Sequence, residues 1–596
     1  MIQIQETLRA AGQTLLPILS FWGYFFLVYR FGRVREWFVP VVCMTGIGLA
    51  LFWGGLAGDV SLAANMVLAG GLAGFVVFFI FCIRRKVRLP GRNLCRSCFI
   101  VGAAAFGILS LNLEMLHYDN FSHWAVIVKY ILSADRLPDA DTVLVAFRNY
   151  PPGSSLFIYY VCRLAGHSRG MMLLAQNSMI FACFYAVFGI VKENRRFLLY
   201  SVLGTGCALL SYLNLTIRIN NLLVDFLMPL LAMASVAVSY RCRDEKGKLC
   251  LLQILLLGFT VTVKSTGVYF AGTAAIYALW EILRTEIPGH VSGRDCSSGR
   301  TGYSRMGRRR AGAILLSVIL ICGSFLPSMA WIYHVQAQLE GYEMNTGNPV
   351  GEDDFRQVTE KFFEAAFDPS GRALQMLSFG ICLSAGAVLY ARFKIKKKWN
   401  LGRILPAVIT LTMLYYAGML YMYLYSMSAE EALRMAGFER YACSAVTLSA
   451  GLLLMGAVTD MESSFAVSID DRGAYRAYSS PSAKRRYQYA VLVSVIVAGN
   501  LLYSEFNGLR SIRAEYGESL PARTEKIVGD RWYKNGEADI KKYLIVAPDD
   551  NGQVASGEVR YVFRYFLWAP DVDVTEDLSD MEREEAEKEY ARIIYL

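Results

Sequence analysis

Apolar residues in this sequence are gathered into blocks of about twenty, separated by short clusters of Lys and Arg. A helix of about twenty residues covers the ~30 Å of a bilayer's hydrocarbon, so a chain patterned this way is constrained to thread a membrane repeatedly. The blocks fall near 11–29, 37–55, 62–82 and 97–113, and resume at 171–191, 197–213, 220–239, 249–263, 266–284, 311–333, 373–391, 402–425, 441–459 and 489–504. That pattern predicts about fourteen spans and an all-α polytopic membrane protein. Composition agrees: 55% of the 596 residues are hydrophobic and 18% charged, against about a quarter charged in soluble domains, and the mean hydropathy is +0.35.

A net charge of +10 invites a nucleic-acid reading. The basic residues, however, sit in short runs between apolar blocks, which is the signature of a positive-inside bias, so no nucleic-acid partner is expected. RFGRVR (30–35), RRKVR (84–88), KENRR (192–196), RCRDEKGK (241–248), the 284–310 stretch and RFKIKKK (392–398) all belong on the cytoplasmic side. By alternation, 113–170, 334–372, 426–440 and the C-terminal tail lie outside. The thirteen cysteines lie in or beside apolar blocks or in basic loops, so no disulfide framework is expected. Cys95 and Cys98 form a lone CxxC without further ligands. The first block runs into charged residues rather than a small-residue cleavage site and reads as a retained span.

The longest polar-bearing interruption of the first half is Leu113–Gly153, LEMLHYDNFSHWAVIVKYILSADRLP…. Phe121, Trp124, Val128, Ile131 and Leu132 recur at helical spacing with Ser122, His123, Lys129 and Ser133 on the other face, which predicts a helix lying in the interface with its apolar side in lipid. SSLFIYYVCRLAG (154–166) follows Pro151-Pro152 and reads as a second juxtamembrane helix. FRQVTEKFFEAAF (355–367) is another amphipathic run suited to the membrane surface. The 285–310 loop, rich in Gly, Ser and Arg, reads as flexible. The sequence thus divides into a membrane domain, 1–504, and a C-terminal extracytoplasmic segment, 505–596. There KYLIVA (542–547) and VRYVFRYFLW (559–568) read as strands and EDLSDMEREEAEKEYARII as an acidic helix, giving a small α/β cap.

Polar residues at the outer ends of the spans are the candidates for chemistry. Asp119, beside Asn120, is placed to cap the interfacial helix, or to act as general base toward an acceptor hydroxyl, its pKa raised in a desolvated cleft. Glu114 is a second candidate acid. His117 and His123 with Asp119 have the chemistry to ligate Zn or Mn, but their spacing matches no metal motif, so a divalent metal is not favoured and no cofactor is assigned. Asp225, near the outer end of the 220–239 span, is either a functional carboxylate or the partner of Arg218. Lys264, in TVTVKSTGVY, suits a phosphate as a point charge or snorkels to headgroups. Arg440, in GFERYACS, offers bidentate phosphate recognition or an interfacial anchor.

YDNFSHWAVIVKYILSADRLP followed by NYPPGSSLFIYYVCRLAG resembles the first external loop of GT-C superfamily glycosyltransferases, among them protein O-mannosyltransferases and the bacterial aminoarabinose transferase. TVTVKSTGVYF and GFERYA resemble motifs of the bacterial members. The likeness covers 110–170 most clearly, with patches in 196–285 and 430–450. It implies a GT-C-like bundle in a bacterial cell membrane that moves a sugar from a polyprenyl-phosphate donor to an acceptor on the extracytoplasmic face. It further implies Asp119 as the acid that activates the acceptor, with Lys264 and Arg440 the candidates for the donor phosphate; Asp225, His123 and Tyr150 are further candidates for binding the substrate. Asn120 departs from the family's acidic pair, which favours a metal-independent inverting displacement. A lipid flippase or transporter would also be polytopic, but no repeat of matching halves is evident. A polysaccharide polymerase or ligase tends to place its main loop later, and a sensor would put its function in the tail.

Overall fold

The computed structural model describes the chain apart from residues 1, 88–89, 92, 285–300, 340–349, 465–477, 479, 534–535, 549–551, 555 and 579, and describes only the backbone of 2–14, 301–309, 352–353 and 580–582. The 285–300 part of the loop expected to be flexible lies outside the described residues, while its 301–310 part is helical and opens a long span.

Every one of the predicted apolar blocks contains a helix. In order come α1 (Ile2–Arg30), α2 (Val39–Leu56), α3 (Val60–Ile83) and α4 (Leu94–Ser110). The first long loop supplies α5 (Ala125–Ala134), entered through a π-helical turn at Asn120–Trp124, and α6 (Gly153–Ala165). The bundle continues with α7 (Arg169–Phe188), α8 (Phe197–Leu210), α9 (Leu227–Cys242), α10 (Lys246–Thr260), α11 (Gly267–Leu283) and α12 (Thr301–Gln338). After these stand α13 (Glu352–Ala366), α14 (Arg372–Tyr390), α15 (Leu401–Tyr425), the short α16 (Ala429–Leu433), α17 (Phe438–Ser464) and α18 (Pro481–Glu515). Among the described residues nine helices are long and apolar enough to cross a membrane, and α4, α9, α11 and the apolar part of α1 are shorter. Of the fourteen expected spans, nine therefore have the length and apolar character to cross a membrane, four are the shorter apolar helices, and the block at 249–263 is the 15-residue α10. α9, α10 and α11 stop short because the chain turns inward before and between them, at 215–226 and 261–266.

Helix starts follow local chemistry. Asp59, Asn93, Ser168 and Ser480 each accept a backbone N–H from the first turn of the helix they precede. α1 and α3 cross so closely that a Cβ on Gly23 would lie 1.9 Å from the Gly71 carbonyl oxygen, so only glycine allows the crossing. One end of the bundle collects the basic clusters: Arg96 pairs with Glu36 at 3.7 Å, Lys248 donates to the Arg33 carbonyl, Lys192 stands over the Tyr240 ring, and the Lys192 and Arg196 segment binds Glu462. Lys397 donates to the Ser464 carbonyl at the same end.

The C-terminal segment does not begin at 505, since α18 runs unbroken through that point. It then forms α19 (Leu520–Val528), β1 (Tyr543–Val546), α20 (Glu558–Leu567), β2 (Val572–Thr575), α21 (Asp580–Glu589) and β3 (Arg592–Tyr595). The sheet has order β2-β1-β3, both pairs parallel, with Leu544 opposite Asp573 and Ile593. Parallel neighbours need crossover helices, and this corrects one expectation: VRYVFRYFLW is α20, the β1–β2 crossover, not a strand. Its Val559, Val562, Phe563 and Phe566 also satisfy helical spacing and are buried. KYLIVA is β1, as expected.

A second correction concerns the 120–134 helix. Its apolar side faces protein rather than lipid, and Phe121, Val128 and Ile131 are buried against the surrounding core. Its polar side is covered as well, by the C-terminal unit. Lys129 is 0% exposed: its ammonium donates to Asp530 at 2.6 Å and to the Tyr565 carbonyl at 3.0 Å, under the rings of Trp532, Tyr565 and Trp568 at 4.3–5.0 Å. The periodicity identified the apolar face correctly but carried no information about what covers it. α13 likewise buries Val358 and Phe362 in protein while Phe363 and Phe367 stay exposed.

Lys129→Ala would leave Asp530 beside an empty cage and is expected to cost about 3 kcal/mol, while Lys129→Met, which fills the cage without a charge, is expected to stay within about 1 kcal/mol of wild type. Melting of the purified variants in detergent checks that order. Burial holds the Lys129 ammonium down at about 8, with Asp530 opposing, against an ordinary 10.5. The folded state therefore releases this proton before the unfolded chain does, and the residue's contribution to stability grows as pH rises from about 8 toward 10.5. The melting temperature of wild type relative to Lys129→Met should climb over that window.

Candidate functional site

At the bundle end opposite the basic clusters, four separate segments bring charged side chains together. Asp119 lies between α4 and the π-helical turn, Asp225 in the irregular stretch ahead of α9, Lys264 in the turn joining α10 to α11, and Arg440 in the first turn of α17. Arg440 is the centre. One of its terminal nitrogens forms an ion pair with Asp119, its Nε lies 3.7 Å from Asp225, and its other terminal nitrogen donates to the Tyr441 hydroxyl at 3.2 Å. Lys264 donates to the other Asp225 oxygen at 3.0 Å and stands 5.3 Å from the centroid of the Tyr441 ring. Asp225 and Lys264 are buried. The cluster is thus two carboxylates and two cations, internally balanced, and Tyr441 lies against both cations.

The backbone beneath it is not helical, so its hydrogen bonds must be met some other way. Buried amide side chains do this. Asn120 accepts from Leu222 N at 2.8 Å and donates to the His117 carbonyl at 2.9 Å. Gln176 donates to the Leu223 carbonyl, Asn177 to Ile219 and Asn220 to Glu114. Asn120 must be an amide here, because it donates and accepts in opposite directions and a carboxylate can only accept. That is a physical reason for an amide, and not a second acid, at this position. Arg218, at φ +48°, pairs with Glu505 of α18 at 2.7 Å rather than with Asp225. Gly153 N donates to the Thr262 carbonyl at 2.6 Å, where a Cβ on Gly153 would meet Thr262, so α6 starts pressed against the Lys264 turn.

Several expectations are revised by this geometry. Asp225 is not within a helix but precedes α9. Asp119 stands at the N-cap position without making a capping hydrogen bond; its carboxylate goes to Arg440 instead. Glu114 is engaged by Arg169 at 2.6 Å, which also binds Glu525 of α19 at 2.8 Å, so it anchors the C-terminal unit and is not a second acid of the cluster. His117 Nδ1 lies 3.9 Å from Asp119, whereas His123 is turned into an aromatic box of Trp124, Phe147 and Tyr150, with ring centroids at 4.8, 5.7 and 5.3 Å. Among the described residues no three His, Cys, Asp or Glu side chains converge as metal ligands. Burial drives the His123 imidazole down to about 3 despite the Asp119 charge, so it is neutral and offers a hydrogen bond rather than a positive charge. Its Nδ1 is buried and has no partner among the described residues. Tyr150 is half-buried and stacks on Phe147 at 5.1 Å.

Tyr441 was missed at the sequence level, although its place beside Arg440 was a usable signal. A narrow cleft runs from Asp225 and Arg440 between Asn214, Ile217, Phe226 and Thr447. No protein-family model matches the chain, and no curated protein matches it.

Asp225→Asn would leave Lys264 buried with no anion and is expected to cost about 3–5 kcal/mol, while the double variant Asp225→Asn with Lys264→Met should recover much of that loss. Asn120→Asp, which turns a donor into a second acceptor facing the His117 carbonyl, is expected to cost about 1–3 kcal/mol. Thermal unfolding in detergent, with circular dichroism to confirm helix content, measures both.

Proposed function

We propose that the protein is a membrane glycosyltransferase of GT-C type, moving a sugar from a polyprenyl-phosphate donor to an acceptor hydroxyl on the extracytoplasmic face of a bacterial cell membrane. The observation that carries this reading is the convergence of Asp119, Arg440, Asp225 and Lys264 from four distant segments at the bundle end opposite the basic clusters. An acid, two cations and an adjoining half-buried aromatic platform are the parts that transfer from an anionic lipid-linked sugar requires.

The step is a single inverting displacement. The acceptor oxygen bonds to the anomeric carbon as the bond from that carbon to the phosphate oxygen breaks, its electron pair staying on the phosphate. The acceptor proton passes to Asp119. As the leaving phosphate gains a charge, Asp119 loses one, so repulsion across the cluster does not build up. The donor phosphate competes with Asp119 for Arg440, and that exchange frees the carboxylate to act as base. Arg440 and Lys264 then stabilise the charge that develops on the leaving group. Phe147 and Tyr150 offer a flat apolar face to the sugar ring, with neutral His123 beside them. No step needs a metal ion.

The test is transfer of radiolabelled sugar from crude polyprenyl-phosphate sugars by the purified protein, wild type beside Asp119→Asn. Transfer by the wild type, reduced at least ~100-fold in a variant of equal melting temperature, is the expected result for loss of a general base. Equal rates would remove Asp119 from the mechanism. No transfer with any donor would favour a flippase or transporter.

A further inference from the structure

An arginine interrupts the most deeply buried stretch of the C-terminal unit. Val559, Val562 and Phe563 are buried before it and Tyr565 to Ala569 after it, while Arg564 itself is half-buried. Its side chain reaches across the seam to the first long loop, where one terminal nitrogen donates to the Val143 carbonyl at 3.0 Å. Its Nε is buried and has no hydrogen-bond partner among the described residues. No carboxylate among them comes within ion-pairing distance either, and the residue one turn earlier on α20 is a second arginine, the exposed Arg560. Burial and the Arg560 charge hold the guanidinium below its ordinary range, and the Asp571 charge does not offset them. The contrast with Lys129, Arg169, Lys264 and Arg440 is plain, since each of those meets an acid.

The space beside this guanidinium is open. Arg564 lines a narrow cleft together with Phe121, Ser122, Leu144, Tyr561 and Tyr565. The walls are mostly aromatic and aliphatic, so a charge entering the cleft is weakly screened and feels the guanidinium strongly. Ser122 and Tyr561 add hydroxyl groups, and the Ser122 hydroxyl makes only a 3.4 Å bond, to the Asp119 carbonyl. A buried cation without an anion is costly, and oxyanions are the groups whose geometry a guanidinium matches. We propose that the cleft between α20 and the Asn120–Trp124 turn is an oxyanion-binding site, in which Arg564 takes a phosphate or carboxylate group with Ser122 and Tyr561 as hydroxyl donors. The site is separate from the Arg440 cluster, whose cations are already neutralised by Asp119 and Asp225. It does not depend on the transferase reading. A bound anion ties the C-terminal unit to the first loop beside the turn that carries Asp119.

The test uses the full-length protein and two probes. Inorganic phosphate is titrated in detergent at constant ionic strength, chloride being the ion exchanged. Separately, the protein is placed in nanodiscs of phosphatidylcholine alone or mixed with phosphatidylglycerol. Melting temperature reads both arms, because a ligand bound only by the folded state raises it. Wild type is expected to be stabilised in at least one arm: a response to phosphate marks a soluble anion, and a response to phosphatidylglycerol alone marks a lipid headgroup. Arg564→Met is expected to need at least about tenfold more phosphate for the same rise, or to lose the lipid response. Without either anion it should melt no lower than wild type, because the uncompensated charge is gone. Arg564→Lys, which keeps the charge but not the planar fork, should fall between the two. Arg560→Gln, which removes a charge outside the cleft, should keep the response. The stabilising anion should also slow hydrogen exchange in 139–148 and 558–568. The proposal is overturned by a wild type indifferent in both arms, by an unchanged response in Arg564→Met, by an equal loss in Arg560→Gln, or by protection confined to the Arg440 segment. A lower melting temperature of Arg564→Met without either anion would also overturn it, assigning Arg564 to its bond with Val143.

Discussion

Charge inside an apolar bundle has to be neutralised at contact distance, because the surroundings supply almost no screening. Arg440 meets that requirement for two carboxylates at once, and Lys264 completes the balance on Asp225. Much else in the fold serves this arrangement. α9 starts late and α10 ends early so that Asp225 and Lys264 can come from turns rather than from helix walls. The unwound backbone this creates is served by Asn120, Gln176, Asn177 and Asn220, which bond carbonyls and N–H groups that would otherwise be orphaned. Buried amides in an otherwise oily core therefore mark where the chain leaves helical geometry for the sake of the site.

The same logic explains how the C-terminal unit is attached. Lys129 projects from α5 into a cage of Trp532, Tyr565 and Trp568 with Asp530 at its ammonium, and Arg169 ties Glu114 to Glu525. Both anchors flank the turn that carries Asp119. The segment is held from the bundle side by Asn120 and from the other side by α20, leaving Asp119 little freedom except to exchange one partner for another.

Some of this was legible in the residues and some was not, and the boundary has a physical cause. Each apolar block contains a helix, because apolar length is a local property. The candidates Asp119, Asp225, Lys264 and Arg440 were readable one by one as polar residues out of place among apolar ones, and they do meet. Their pairing was not readable: Arg218 is closer in sequence to Asp225 but goes to Glu505. The VRYVFRYFLW run satisfies both helical and strand spacing, so only the parallel pairing of β1 with β2 decides for helix. For the 120–134 helix the amphipathic face was legible, but the protein covering it was not.

The sequence by itself determined a helical, multi-span architecture, the residues that start its helices, and the polar positions set near their ends. Each of those follows from chemistry within a turn or a span's length. Only the tertiary structure decided which acid binds which cation, that α5 is roofed by a C-terminal cage rather than by lipid, and that α20 packs on Phe121 just after Asp119. Those outcomes depend on pairings between residues hundreds of positions apart, such as Asp119 with Arg440 and Lys129 with Asp530. Such pairings are chosen by the balance of desolvation against ion pairing across the whole fold, to which no local stretch of residues has access.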